Sequence, residues 1–319
     1  MGLPRYVPAA MTKTALLFAG QGAQVVGMGR DLAAQLPAAQ AWFDRANAAL
    51  GYDLAQICFA GPEAELTKTE HAQPGIFLVS WVALESLRAR VPGLAFDATA
   101  GLSLGEFTAL TAAGAMSFED GLRVVRQRGR FMQEACDVTH GGMAAVLGLE
   151  EAACREVCEQ AGVALANLNC PGQIVISGAA DKIEAACDLA KARAARRALP
   201  LPVAGAYHSP LMASAQPKLA AELAAIALHP PQVPVISNVT ARPHGSPEDI
   251  RTRLIEQVTS SVRWEDSIRH LLAEGFTRFI ELGPGTALTG FMKRIEKSAE
   301  VLNVADMASL ETTAQALGR

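Results

Sequence analysis

A short apolar run, Ala98 to Ala100, passes directly into Gly101-Leu102-Ser103-Leu104-Gly105 and then into helix-like sequence from about Glu106. A buried strand that turns sharply into a helix between two glycines restricts the chain to an α/β architecture. Small flanking residues let such a turn push the serine hydroxyl out of the chain. The same arrangement stands near the start, where Thr14 to Phe18 is a β-type run ending in Gly20-Gln21-Gly22-Ala23-Gln24. A helix-rich stretch from Asp31 to Arg90 separates the two.

Between Gly141 and Pro202 the pattern changes. Strands are predicted at Met143–Leu147, 163–169, Gln173–Ser177 and Arg197–Leu201, with helices at 150–161 and 181–194, giving the order βαββαβ. Such a unit is a compact module that can be inserted in a larger domain, and Gly141-Gly142 and Pro200-Leu201-Pro202 punctuate its ends. The α/β pattern then resumes: a helix over 210–227, a strand over 233–238, helices over 249–258 and 264–274, a strand over 276–282, the turn Gly283-Pro284-Gly285, a helix over 286–297 and a short C-terminal helix. The expected fold is therefore α/β, with an α/β-hydrolase-like core carrying a parallel sheet (11–138 and 206–319) and an inserted ferredoxin-like small subdomain (139–205).

Composition excludes several function classes. Of 319 residues, half are hydrophobic and 19% charged, which gives a globular chain enough apolar material for a large core. Lys plus Arg is 28 against 32 Asp plus Glu, so no global positive field exists to hold a nucleic-acid backbone. The most apolar stretches, Ile76 to Leu84 and Ala98 to Ala115, are too short or too interrupted to span a membrane. Six cysteines with no Cys-x-x-Cys pair point to a reduced, cytoplasmic chain, and the six histidines show no metal-ligand spacing. No cofactor is expected. Residues 1 to 10 lack the apolar core of a signal peptide, and Met11 offers a second start, so they are set aside from fold reasoning.

Ser103 sits near a helix N-terminus, where free backbone N–H groups stabilise a developing oxyanion. A serine nucleophile needs a base, and His208, in Gly205-Ala206-Tyr207-His208-Ser209-Pro210 directly after the small module, is the best-placed histidine; no acid with obvious triad spacing accompanies it. The bland alternative is a surface-loop histidine. A backbone N–H of Gly20-Gln21-Gly22 could supply the second oxyanion donor; the loop lacks the Lys-Ser/Thr ending of a phosphate-binding loop.

The helix predicted over 122–136 holds four arginines. Arg123, Arg126 and Arg130 share its polar face, whereas Arg128 falls amid Val124, Val125, Phe131, Met132 and Ala135. An unpaired buried guanidinium costs several kcal/mol, on the order of a lost ion pair, so Arg128 wants a carboxylate. Two readings stand side by side: an internal ion pair, with Glu106 a candidate partner, or a clamp on a substrate carboxylate, which a planar fork binds bidentately.

The ordered set Gly20-Gln21-Gly22-Ala23-Gln24, Gly101-Leu102-Ser103-Leu104-Gly105-Glu106, Gln127-Arg128-Gly129, Asn167-Leu168-Asn169-Cys170-Pro171-Gly172-Gln173, His208 and Gly283-Pro284-Gly285 resembles malonyl-CoA:acyl-carrier-protein transacylases, from about Thr14 to Ile295. The resemblance implies that Ser103 accepts the acyl group, that His208 is its base and that Arg128 holds the malonyl carboxylate. It implies an oxyanion hole from the backbone N–H groups of Gln21 and Leu104, and a main-chain carbonyl of Gln257 orienting His208 in place of a triad acid. Asn167, Asn169 and Gln173 match family positions on the small-subdomain side of the cleft. Malonyl-CoA and an acyl carrier protein are the implied partners, in a ping-pong exchange through an acyl-serine.

Two departures refine that expectation. Leu102 stands where many fatty-acid-synthesis members have His, and Gly205-Ala206-Tyr207-His208 differs from their sequence before the base; both look like discrete polyketide acyltransferases acting in trans. In related acyltransferases a bulky aromatic before the base accompanies malonyl selectivity, so Tyr207 should crowd a 2-methyl group. Lys293 with Arg294, or Arg196 with Arg197, are candidate docking patches for an acidic carrier. The alternatives are an acyl hydrolase of the same fold, which typically lacks the arginine, and a non-catalytic docking protein.

Overall fold

The computed structural model describes residues 12–318; residues 1 to 10, set aside above, and Met11, the second possible start, lie outside them. The first strand, β1 (Lys13–Phe18), is followed by helices α1 to α5 (Arg30–Gln35, Pro37–Leu50, Leu54–Ala60, Glu63–Leu66 and Thr69–Arg90), then β2 (Ala98–Gly101), α6 (Gly105–Ala112) and α7 (Phe118–Thr139). The next stretch of chain comprises β3 (Gly141–Leu147), α8 (Glu151–Ala161), β4 (Ala164–Cys170), β5 (Gln173–Ala179), α9 (Ala180–Ala192) and β6 (Arg197–Pro200). The chain closes with α10 (Ala215–Ala224), β7 (Val235–Ile236), α11 (Pro247–Gln257), α12 (Trp264–Ala273), β8 (Phe276–Leu282), α13 (Ala287–Ile295), β9 (Glu300–Val304) and α14 (Met307–Leu317).

The larger sheet is parallel throughout, in the order β7-β2-β1-β8-β9. Its strands alternate sides because successive side chains point to opposite faces. Leu16 and Phe18 join the core beneath α5 and α7, while Ala15 and Leu17 join Trp264, Ile268 and Leu288 from α12 and α13. The apolar run Ile76 to Leu84, too short for a membrane, is the middle of α5, buried on all sides against neighbouring helices. Among the described residues no helix is long and apolar enough to cross a membrane.

Register decides where the site lies. Phe18 pairs with Gly101 on one side and Leu282 on the other, so β1, β2 and β8 end at one level. The three glycine-bearing turns that follow them therefore cluster at the carboxyl edge of the sheet, where open α/β sheets place their ligands. The second sheet is antiparallel, in the order β4-β5-β3-β6, with α8 and α9 sharing its core through Val157, Ile176 and Ile183. Its edge strand β4 is stitched to the segment after α11: Leu168 N–H donates to the Val262 carbonyl at 2.9 Å and Val262 N–H to the Ala166 carbonyl at 2.8 Å. That seam holds the small sheet over the carboxyl edge of the large one.

Several boundaries differ from the sequence expectation. The predicted helix over 210–227 is a 3-10 turn, Pro210–Met212, followed by α10, because Ser209 caps the turn and the chain bends again at Ala213. Only Val235–Ile236 of the 233–238 run pairs as strand. α7 extends from Phe118, capped by Ser117, to Thr139 rather than spanning 122–136. Strand β9 was not expected: Val301-Leu302-Asn303-Val304 carries no clean apolar–polar alternation, and it forms by pairing along the edge of β8.

Candidate active site

The turn around Ser103 is fixed by contact with backbone. A Cβ on Gly101 would lie 1.9 Å from the Gly105 carbonyl carbon, and one on Gly105 would lie 2.3 Å from the Phe18 carbonyl oxygen. Only glycine lets β2, the turn and α6 pack this closely. Ser103 itself has φ 54°, a left-handed conformation that a non-glycine residue holds only when its surroundings dictate it. Asn238 supplies one such tether, its Oδ1 accepting the Ser103 N–H at 2.7 Å and its Nδ2 donating to the Gly101 carbonyl at 2.8 Å.

His208 also has a left-handed backbone, φ 57°, and is buried. Its Nε2 lies 2.8 Å from Ser103 Oγ and its Nδ1 2.9 Å from the main-chain carbonyl of Gln257. A carbonyl only accepts, so Nδ1 carries the hydrogen and Nε2 offers its lone pair to the serine. Burial, and then the nearby Arg128 charge, push the His208 pKa down to about 4, so the imidazole is neutral at pH 7 and poised to take a proton.

Arg128 is buried at 1% exposure. Its Nη1 donates to Gln73 Oε1 at 2.8 Å, and Nη2 donates to Gln257 Oε1 at 2.8 Å and to Ser103 Oγ at 3.1 Å. Among the described residues Nε–H has no partner. The internal ion pair with Glu106 is therefore not formed: that carboxylate is engaged by His244 Nε2, Gln257 Nε2 and Asn238 N–H instead. Burial lowers the guanidinium pKa to about 10, with Glu106 opposing the shift. The group stays charged at neutral pH beside Ser103, bonded to neutral acceptors, with Nε–H and the second Nη1–H to spare.

A cleft of about 350 Å³ opens above these groups, lined on the large-sheet side by Gln21, Ser103 and His208 and on the small-sheet side by Asn167 and Asn169. Among the described residues neither the Gln21 nor the Leu104 backbone N–H is spent on an internal acceptor. Tyr207 stands in the cleft wall with its hydroxyl 2.6 Å from Thr69 Oγ1. Gln173 lies off the cleft wall; its Oε1 accepts from Arg294 Nη1 at 2.7 Å, and Arg294 Nη2 reaches the Pro171 carbonyl at 2.5 Å. No group of three or more potential metal ligands occurs among the described residues.

Two sets of residues escaped the sequence reading. Gln73, fully buried, holds Arg128 and also donates to Gln21 Oε1 at 3.4 Å. A glutamine heading the apolar run of α5 was the available signal. Asn238 and the side chain of Gln257 bind the turn from behind, and the position of Asn238 just past the carboxyl end of β7 marked it as a ligand-edge residue.

Fold and site together define a serine-dependent acyl-transfer enzyme. The model of the acyl transferase domain matches residues 15–315, and the chain belongs to that family. It is 46% identical over 312 residues to the malonyl CoA-acyl carrier protein transacylase of Bacillus subtilis (strain 168), with 96% of this chain and 98% of that protein covered. Among solved structures it matches the malonyl CoA-acyl carrier protein transacylase of Coxiella burnetii with a TM-score of 0.93 and 36% identity, covering 98% of this chain and all of that one. It also matches a malonyl-transacylase solved in complex with a type II polyketide synthase acyl-carrier protein, TM-score 0.92 and 38% identity, covering 96% and 100%.

Proposed function

We propose that this acyltransferase moves malonyl from coenzyme A to the phosphopantetheine thiol of an acyl carrier protein. The observation that carries the reading is a buried, charged Arg128 in contact with the nucleophile and without any carboxylate of its own. In the first half-reaction Ser103 Oγ attacks the thioester carbon as its proton passes to His208 Nε2. The oxyanion formed is received by the N–H groups of Gln21 and Leu104. Collapse breaks the carbon–sulfur bond, and His208 passes its proton to the departing sulfur, so coenzyme A leaves as the thiol and the imidazole is neutral again. In the second half the carrier thiol gives its proton to His208 and attacks the acyl-serine by the same steps in reverse.

Arg128 fixes the uncleaved carboxylate throughout. The overall reaction exchanges one thioester for another through an acyl-serine oxyester, so the demand on the site is to exclude water from that acyl-serine. Burial of His208 and Arg128 beneath a cleft closed on one side by the small sheet meets that demand. The strand order β4-β5-β3-β6 and the two helices between its strands fit a ferredoxin-like subdomain inserted in an α/β-hydrolase-like core, with the boundaries 139–205 expected from sequence. Asn167 and Asn169 line the cleft from β4, which supports the substrate-contacting role expected of that side. No cofactor is required beyond the phosphopantetheine that the substrates carry.

The carrier docks, in this reading, on a positive patch at Lys293 and Arg294 beside the cleft, supplying a polyketide synthase in trans or fatty acid synthesis. Six free, buried cysteines suit a cytoplasmic setting. The test is intact-protein mass after incubation with malonyl-CoA, methylmalonyl-CoA or acetyl-CoA. A malonyl adduct present in the wild type and absent from Ser103→Ala supports the proposal. Release of coenzyme A with no adduct would point instead to an acyl hydrolase.

A further inference from the structure

A buried carboxylate behind the nucleophile turn takes no part in the steps above. Glu106, in the first turn of α6, is fully buried. Its Oε1 accepts from His244 Nε2 at 2.7 Å, and its Oε2 accepts from Gln257 Nε2 at 2.6 Å and Asn238 N–H at 3.1 Å. A charge removed from water persists only where donors surround it. Two of these three donors belong to residues that also hold reacting groups. Asn238 tethers Ser103. Gln257 holds His208 through its main-chain carbonyl and Arg128 through its side-chain oxygen.

The side chain of Gln257 bridges two groups of opposite demand. Its NH₂ faces a carboxylate, which only accepts, and its oxygen faces a guanidinium, which only donates. Turning the amide over would set donor against donor and acceptor against acceptor at once. We infer that Glu106 is a positioning residue for base and clamp together: it locks the Gln257 side-chain amide in the one orientation that presents an acceptor to Arg128, and by anchoring that side chain it holds in place the residue whose main-chain carbonyl meets His208. The acid missing from the Ser-His pair thus acts one residue removed.

The arrangement also explains the open donor on Arg128. A carboxylate bonded directly to the guanidinium would fill the N–H groups that a substrate needs. Placed behind Gln257, Glu106 offsets the buried positive charge through an intervening amide and leaves Nε–H unpaired.

The inference rests on the malonyl-transfer reading, and its test separates the two. Wild type and Glu106→Gln, in the full chain, are compared for KM, kcat and the ratio of malonyl to acetyl loading, after titrating active serine with a fluorophosphonate. Glu106→Gln keeps shape but presents an NH₂ that can oppose Gln257 or Asn238. The expected result, within the fraction that still labels, is a KM for malonyl-CoA raised at least tenfold and a malonyl preference reduced at least tenfold, with Glu106→Asp retaining more of both. An unchanged ratio and KM in the labelled fraction overturns the inference and leaves Glu106 a support of the fold only. Should Glu106→Gln not fold, Gln257→Met breaks the same relay while keeping the main-chain carbonyl, and an unchanged ratio there overturns it equally. Wild type that fails to load malonyl would sink the underlying reading instead.

Discussion

Arg128 and Ser103 are in direct contact, Nη2 donating to Oγ at 3.1 Å, so the group that would select the acyl chain also touches the atom that would accept it. Truncating one partner of a buried, hydrogen-bonded charge pair costs about 2–5 kcal/mol. Arg128→Ala is therefore expected to lower kcat/KM for malonyl-CoA by roughly 30-fold or more, at 1.4 kcal/mol per tenfold. Acetyl-CoA has no carboxylate to lose, so its loading should hold or rise. Parallel loss of both substrates, measured by adduct mass over time, would remove Arg128 from substrate selection.

Tyr207 is held by its hydroxyl against Thr69 Oγ1 at 2.6 Å, so its ring cannot easily swing out of the cleft wall. A 2-methyl group on the acyl chain would meet a fixed aromatic face. Tyr207→Ala should raise methylmalonyl loading relative to malonyl about tenfold, the scale of one or two methylenes in a fitted pocket. A competition between the two coenzyme A esters reads the ratio directly. Equal use of both by the wild type would contradict the role assigned to this ring.

The nucleophile turn and its parallel sheet were legible because their chemistry is local. Gly101, Ser103 and Gly105 are contiguous, and Arg128 stood out because helical periodicity buried a charge. The partners of that charge were not legible. Gln73 and Gln257 lie 55 and 129 residues from Arg128 in sequence, and both are neutral amides whose type announces no role. Glu106 stood out only as a candidate partner for Arg128, and its actual bonds to His244, Gln257 and Asn238 depend on tertiary placement alone. Strand β9 was missed for a similar reason, since an edge strand is specified by its neighbour as much as by its own alternation.

Glycine at 105 is required by backbone approach, which gives a stability prediction with an internal control. A methyl there meets the Phe18 carbonyl oxygen at 2.3 Å, a distance only backbone movement can relieve. Gly105→Ala should destabilise by about 3 kcal/mol or more, beyond the usual range for overpacking. Gly290, inside α13, would place its Cβ with nothing within 4 Å. Gly290→Ala should stabilise by about 0.5–1 kcal/mol through helix propensity. Urea titrations of both variants decide the matter, and similar midpoints would show that the turn relaxes.

Arg294 bonds only to an amide oxygen and a main-chain carbonyl, so its positive charge is not cancelled by a carboxylate among the described residues. With Lys293 it presents that charge beside the cleft, where an acidic carrier would bring its arm. Reversing both charges should raise KM for the carrier protein tenfold or more and flatten its salt dependence, as loss of rim charges does. Self-acylation from malonyl-CoA should remain near wild type. Unchanged transfer would turn attention to Arg196 and Arg197, exposed on the approach to β6.

The depressed basicity of His208 has a signed consequence for pH. Burial and the Arg128 charge hold its folded pKa near 4, below the ordinary histidine value of 6.5. The neutral, proton-accepting form therefore dominates throughout the neutral range, and kcat/KM should stay flat down to about pH 5 before falling on a limb near pH 4. Once a malonyl carboxylate lies on Arg128, the repelling charge is offset and His208 becomes more basic. The acid limb of kcat should then lie at higher pH than the limb of kcat/KM, because kcat reports the loaded enzyme. Folding stability follows the same sign: the contribution of neutral His208 is fully present above the unfolded value of 6.5 and is lost as pH falls through the folded value near 4. Arg128→Ala removes the repulsion permanently, so its kcat/KM limb for acetyl-CoA should move up toward the ordinary histidine range. Superimposable limbs in wild type and variant would mean that the two groups do not sense each other.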